Sequence, residues 1–109
     1  LHDQKHLDEV EQEFGSCQHV SWMTDEDKLV FRNAFEIDQH VVVRRASQRQ
    51  KFIDQGQSVN LFFSSDEDEE YISSVHQAAF KDEDILSLYY CYSRTGVKAS
   101  EKGECIACQ

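Results

Sequence analysis

Two cysteines near the end of the chain have the spacing of a redox pair. Cys105 and Cys108 are separated by two residues, so their thiols can close a small disulfide ring. In such a pair the thiolate of one cysteine attacks a disulfide and starts thiol–disulfide exchange. The same spacing fits half of a zinc site, but Cys17 and Cys91 are poorly placed to supply the two remaining ligands. Spacing alone leaves a redox pair and two incidental thiols equally open.

Adjacent tyrosines form a second candidate site. Tyr89 and Tyr90 lie in the apolar run from Ile85 to Tyr92, which has the composition of a strand. Because neighbouring side chains of a strand point to opposite faces, we expect one tyrosine to face inward and the other to meet a surface or interface. A neutral phenol is one of the few side chains that can be oxidised to a radical at modest potential. On the residues alone, two aromatic packing residues are the favoured alternative.

A polar segment from Gln55 to Asn60 connects a predicted helix to a predicted buried strand. Buried amides and hydroxyls need hydrogen-bond partners, so this segment either supports a neighbouring loop or lines a polar pocket. Periodicity does not distinguish these two interpretations.

The spacing of apolar residues and the positions of capping residues predict the helices and strands that hold these candidate residues. Gly15 is predicted to end the first helix, and Thr24 to cap the second. The predicted helices are His6–Phe14, a helix from Thr24 to about Phe35, Gln39–Ile53 and Tyr71–Phe80. The predicted strands are about Ser58–Phe63 and Leu86–Cys91.

The two predicted strands are nearly continuous apolar runs, which is typical of strands buried on both faces. A helix lies in the connection between them, as expected for a parallel crossover. Two strands alone are marginal in water, and the rest of the chain offers too little to cover both faces. The sequence therefore predicts an α/β piece of a larger sheet or barrel that needs a partner chain.

Composition limits the kind of partner. The 109 residues carry a net charge of −10, which argues against nucleic acid or an anionic membrane as the main partner. No run of about 20 apolar residues could span a bilayer. Without an export signal, we expect a cytoplasmic and reducing environment for the four cysteines.

Four blocks of sequence, in order over nearly the whole chain, resemble the C-terminal segment of the large (catalytic, alpha) subunit of class I ribonucleotide reductases. The blocks are Phe35–Gln39 with Arg49–Phe62, Ile72–Phe80, Leu88–Tyr90 with Arg94, and the cysteines Cys105 and Cys108. The resemblance implies a fragment of a ten-stranded α/β barrel, mostly helical with two buried strands. Residues 1–94 would belong to the barrel and residues 95–109 would form a flexible redox tail.

The resemblance also implies a function, the reduction of ribonucleotides to deoxyribonucleotides by thiyl-radical chemistry for DNA synthesis. Tyr90 would receive the radical from the small (beta) subunit, and Tyr89 would pass it to the active-site cysteine. Cys105 and Cys108 would re-reduce the active-site disulfide and then be reduced by thioredoxin or glutaredoxin. Residues 55–60 would be structural support, and this segment would bind no cofactor or metal, because the metal-containing small subunit supplies the radical.

The sequence departs from that family in what it omits. The finger-loop cysteine, the first reducible cysteine pair and the phosphate-binding loop are all absent, so we expect the chain to be inactive without the rest of the large subunit. We therefore expect a piece of a longer protein or of a large subunit encoded in pieces, as can occur in phage genomes. Three alternatives stay open: a cobalamin-dependent reductase fragment, a small acidic interaction module with incidental thiols, and a free dithiol carrier.

Overall fold

The computed structural model describes residues 3–94, and these divide after Asn33 into two compact units. Cys105, Cys108 and the rest of the predicted tail at 95–109 lie outside the described residues. The predicted division of the chain after residue 94 therefore stays a prediction.

The first unit contains two helices, and the first of them is α1 (Gln4–Gln12). The carboxylate of Asp3 caps it by accepting a hydrogen bond from the Lys5 amide. After the helix, Phe14 and Gly15 take positive φ values of 56° and 84°, and the Gly15 amide donates to the Val10 carbonyl at 2.9 Å. Gly15 thus ends α1 as predicted, because glycine adopts the left-handed conformation without steric cost. The helix begins and ends two residues earlier than predicted.

The second helix, α2 (Asp25–Val30), begins where the sequence predicted. The Thr24 hydroxyl accepts from the Asp27 amide, and three acidic residues occupy the first turn at the positive end of the helix dipole. The helix ends at Val30 instead of near Phe35, and a separate turn of 3-10 helix follows at Ala34–Glu36. The predicted single helix was therefore wrong over residues 31–35.

The second unit is a β–α–β arrangement preceded by a helix. Its elements are α3 (Gln39–Gln50), β1 (Leu61–Ser64), α4 (Glu69–Lys81) and β2 (Cys91–Arg94). The two strands pair in parallel, with Leu61 opposite Cys91 and Ser64 opposite Arg94. The parallel pair joined through a helix is as predicted, but both strands begin and end later in the chain than expected.

Helices α3 and α4 form one layer against one face of β1. The core consists of Val43, Leu61, Phe63, Val75 and Ala79. Alternation along β1 directs Leu61 and Phe63 into this core, while Phe62 lies on the opposite face. Val42 packs against this core from its edge, whereas Phe80 is 76% exposed because it lies on a different face of α4 from Val75 and Ala79.

Strand β2 is not buried, in contrast to the prediction of two buried strands. Cys91, Tyr92 and Ser93 are exposed and Arg94 is half-buried. The continuous apolar run was typical of a doubly covered strand, but within residues 3–94 the helical layer covers β1 and leaves β2 open. Among these residues no helix is long and apolar enough to cross a membrane.

Candidate functional site

The backbone of β1 holds the tyrosine pair immediately before β2. The Tyr89 amide donates to the Val59 carbonyl, and the Leu61 amide donates to the Tyr90 carbonyl, both at 2.9 Å. The parallel ladder therefore extends beyond the assigned strand and includes both tyrosines. The Tyr90 amide donates in addition to Asn60 Oδ1 at 3.1 Å. These three hydrogen bonds fix the position of the pair relative to β1.

The two tyrosine side chains contact each other directly. Their ring centroids are 4.1 Å apart at an interplanar angle of 55°, and the Tyr89 hydroxyl donates to the Tyr90 hydroxyl at 3.3 Å. Tyr89 is 60% exposed and Tyr90 is 52% exposed. The expectation that one ring faces inward was wrong, because no described layer covers this side of the sheet and both rings remain at the surface.

The hydrogen bond between the hydroxyls also has an electrostatic effect. It raises the pKa of Tyr89 above its ordinary value of 10.0, because Tyr89 is the donor and the contact stabilises its protonated form. Partial desolvation and the nearby Tyr92 phenol raise that pKa further. Tyr89 is therefore a neutral phenol throughout the physiological pH range, and its proton is directed at the Tyr90 oxygen.

A third tyrosine lies beside the pair. The Tyr92 ring centroid is 5.7 Å from that of Tyr90 and 5.0 Å from that of Phe62, on which the Tyr92 ring stacks at 13°. Sequence analysis did not single out Tyr92. The signal was available, since Tyr90 and Tyr92 are two residues apart and alternate positions of an extended segment share a face.

The aromatic surface continues across β1. The Phe35 ring meets Phe62 edge to face at 5.5 Å, and the Arg94 guanidinium lies 5.5 Å from the Phe35 ring centroid. Cation–π contacts of this kind occur within about 6 Å. The face of the sheet opposite the helices thus carries a row of aromatic rings that begins at the tyrosine pair.

Glutamine side chains anchor the polar segment that leads into β1. Gln57 Nε2 donates to the Ala46 carbonyl at 2.7 Å and to Gln50 Oε1 at 3.1 Å. Gln50 Nε2 in turn donates to the carbonyls of Ile53 and Gln55 at the end of α3. These bonds connect the polar segment and the turn after α3 to the helix. They support the interpretation in which this segment holds a neighbouring loop in place.

A second cluster stabilises the start of α3. The Tyr71 hydroxyl donates to Asp38 Oδ1 and accepts from the Gln39 amide, both at 2.8 Å. The hydrogen bond from Tyr71 lowers the pKa of Asp38, and burial is the main cause of the raised pKa of Tyr71. The buried Gln39 side chain accepts from the Phe62 amide on the edge of β1 that faces away from β2. This cluster connects helix, strand and cap, and its role is structural.

Other features of the described residues do not form a second site. Residues 3–94 contain no group of three or more His, Cys, Asp or Glu that could hold a metal ion. A groove on α4 is lined by residues of one helix face that is open to solvent: Glu69, Glu70, Ser73, Ser74 and Gln77. The tyrosine pair therefore remains the candidate site of the described chain.

Comparison with known proteins identifies the scaffold that carries this pair. The family model of the ribonucleotide reductase barrel domain matches residues 1–91, which include both tyrosines. The chain belongs to the ribonucleotide reductase barrel-domain family. A Frog virus 3 protein described as a ribonucleoside-diphosphate reductase large subunit is 43% identical over 105 residues. That match covers 87% of this chain and 18% of the viral protein.

Bacterial relatives agree in sequence and in structure. The ribonucleoside-diphosphate reductase subunit alpha of Chlamydia trachomatis is 34% identical over 87 residues, which cover 80% of this chain and 8% of the relative. The alpha subunit of the Actinobacillus ureae class Id ribonucleotide reductase superposes with a TM-score of 0.70 at 32% identity. The superposition covers 84% of this chain and 18% of that structure. The chain thus corresponds to less than a fifth of these large subunits, and the α/β barrel origin predicted for the fold is confirmed.

Proposed function

We propose that this chain supplies the radical-transfer tyrosines of a ribonucleoside-diphosphate reductase large subunit. The observation that carries the proposal is the direct hydroxyl-to-hydroxyl contact of Tyr89 and Tyr90 at 3.3 Å on a reductase barrel scaffold. Two aromatic packing residues would bury their rings, whereas these two rings are more than half exposed and touch each other. The assembled enzyme would reduce ribonucleotides to deoxyribonucleotides for DNA synthesis.

The geometry suits a two-step relay. Tyr90 receives the radical from the small subunit, and Tyr89 then reduces Tyr90 and passes the radical to the active-site cysteine. When Tyr89 gives up an electron, its phenol becomes strongly acidic, and the Tyr90 oxygen is placed to take the proton. The contact of 3.3 Å is longer than the about 2.7–2.8 Å typical of hydroxyl pairs. Hydrogen bonds of catalytic groups are often long before a complex assembles and tighten within it.

The proposed partners follow from what the chain leaves open. Both faces of β2 and the tyrosine rings are exposed, so the remainder of the large subunit would cover the sheet and the small subunit would approach Tyr90. The relatives are named large or alpha subunits, which supports a second, smaller subunit. We place this assembly in the cytoplasm, with ribonucleotide bound only by the complete enzyme.

The tail completes the proposal. Cys105 and Cys108 would re-reduce the active-site disulfide and then receive electrons from thioredoxin or glutaredoxin by thiol–disulfide exchange. The chain itself would hold no cofactor, and the metal-containing small subunit would generate the radical. This division keeps radical transfer and reductant supply on separate parts of the chain.

The decisive experiment removes one hydroxyl at a time. Tyr89→Phe and Tyr90→Phe each keep the ring and its packing, so the loss of a hydrogen bond should cost about 1 kcal/mol or less. Phenylalanine is not oxidised at a comparable potential, and deoxyribonucleotide formation by the assembled enzyme should fall by orders of magnitude. Substrate binding and assembly should stay near normal.

Tyr71→Phe is the matched control. It removes a hydroxyl that bonds Asp38 and the Gln39 amide, so it lowers stability without touching the relay. Near-normal activity of both relay variants would overturn the proposed tyrosine roles. Activity that depends on adenosylcobalamin and tolerates both changes would instead indicate the cobalamin-dependent class.

A further inference from the structure

We propose that Tyr92 is a third redox-active tyrosine, a side branch that exchanges the radical with Tyr90. The inference rests on the proposed function, because that function delivers the radical to Tyr90. It goes beyond the function by assigning redox chemistry to a residue outside the pair. Two observations support it: the distances between the rings and the nature of the next aromatic residue.

The distances place Tyr92 within reach of Tyr90. The two ring centroids are 5.7 Å apart, against 4.1 Å within the pair. No other side chain needs to mediate between rings at this separation.

The exchange is balanced without any further reagent. The oxidant is the Tyr90 phenoxyl radical. It gains one electron and one proton, and becomes a neutral phenol. Tyr92 loses one electron and its phenolic proton, so the net change is the transfer of one hydrogen atom from Tyr92 to Tyr90. Reactant and product each contain one tyrosine phenol and one tyrosine phenoxyl radical, so the step is close to isoergic and reversible.

The branch ends at Tyr92. Its other ring neighbour is Phe62, stacked at 5.0 Å, and a phenylalanine ring does not accept the radical from a phenoxyl. Among residues 3–94 no hydrogen bond to the Tyr92 hydroxyl is present, whereas the Tyr89 proton has the Tyr90 oxygen as acceptor. A hydroxyl acceptor for the departing proton therefore distinguishes the path through Tyr89 from the branch through Tyr92.

The test places 3-aminotyrosine, which is oxidised more easily than tyrosine, at position 92 of the full chain. The labelled chain is assembled with the rest of the large subunit, the small subunit and substrate, and assembly is measured by gel filtration. Electron paramagnetic resonance should detect an aminotyrosyl radical that forms as the small-subunit radical decays. In a Tyr90→Phe background this signal should fall to background.

Labels at two other positions separate the outcomes. A label at position 71 should give no signal, since Tyr71 lies at the start of α3 with Asp38 and Gln39. Signal at position 90 but not at position 92 would overturn the branch and leave the relay intact. Signal at neither position would overturn the relay itself, and equal signals at positions 71 and 92 would reduce the branch to non-specific oxidation.

Discussion

The Tyr90 amide donates a hydrogen bond to the side-chain oxygen of Asn60 at 3.1 Å. Asn60 is the last residue before β1, and Tyr90 is the last residue before β2, so this bond joins the two strands where both begin. The Val59 carbonyl accepts from the Tyr89 amide, and the Asn60 side chain supplies the acceptor for the Tyr90 amide. Asn60 thus connects the polar segment of the sequence to the tyrosine pair.

Removal of that acceptor should loosen Tyr90 locally. We expect Asn60→Leu to weaken protection of the Tyr90 amide by about 0.5–1.5 kcal/mol, or roughly 2- to 13-fold faster hydrogen exchange. The pKa of Tyr89 should move down toward its ordinary value, because the hydroxyl contact with Tyr90 becomes less persistent. Hydrogen exchange measured by mass spectrometry and absorbance titration of the phenols check the two effects.

Asn60→Asp is the matched variant for this prediction. It keeps an acceptor oxygen at the same distance from the backbone and should retain slow exchange at the Tyr90 amide. Identical exchange rates in the Leu and Asp variants would show that Asn60 does not hold Tyr90.

Tyr71 and Asp38 make a prediction about pH. The hydrogen bond from Tyr71 is the largest cause of the lowered pKa of Asp38, so Tyr71→Phe should raise that pKa toward its ordinary value of 3.8. A carboxyl whose pKa is lowered by folding stabilises the fold above its unfolded value, and this contribution is lost as pH falls through the folded value. The wild-type chain should therefore lose more stability on acidification than Tyr71→Phe.

Carbon-13 NMR titration of the Asp38 carboxyl measures this effect directly. Tyr89→Phe serves as the control, since Tyr89 makes no contact with Asp38 and its loss should leave the titration unchanged. An unaltered Asp38 pKa in Tyr71→Phe would assign the shift to the weaker causes, His40 and Arg44.

The sequence predicted several helix boundaries, because the residues that cap or end a helix act on their immediate neighbours in the chain. Thr24 and Gly15 act at the predicted positions. Strand positions were less predictable. Ile85 and Leu88 pack against the core from an extended segment without ladder pairing, so apolar composition alone placed the second strand too early.

The sequence predicted which residues form the candidate site, but it did not predict how their side chains are arranged. Tyr89 and Tyr90 were singled out as a pair, yet strand alternation predicted opposite faces. Their hydroxyls lie 3.3 Å apart, and both rings are exposed among the described residues. Gln39 and Gln50 are buried polar residues, and apolar periodicity does not detect side chains whose burial is compensated by hydrogen bonds.

The exposed strand β2 leads to a prediction about assembly. We expect no reductase activity from the chain with a small subunit alone. Activity should appear when the rest of the large subunit and a dithiol reductant are added, because the missing barrel covers β2 and carries the reacting cysteine. Protection of the Ser93 amide from hydrogen exchange should rise on assembly, because this amide points to the open edge of β2 and the Tyr92 amide points to β1. Turnover by the chain and small subunit alone would contradict the proposed division of labour.

The tail cysteines lie outside the described residues, and the last prediction concerns their chemistry. We expect Cys105→Ser and Cys108→Ser each to allow one burst of product in the assembled enzyme and then to stop thioredoxin-driven cycling. The reason is that a single thiol cannot complete exchange with the active-site disulfide, whereas radical transfer through the tyrosines does not use the tail. A small dithiol that enters the site should restore much of the rate.

Cys17→Ser is the control, since Cys17 donates to the Phe31 carbonyl within the first unit and should be dispensable for cycling. Rapid-quench measurement of the burst and of steady turnover distinguishes these outcomes, and full thioredoxin-dependent turnover in both tail variants would rule out the shuttle role.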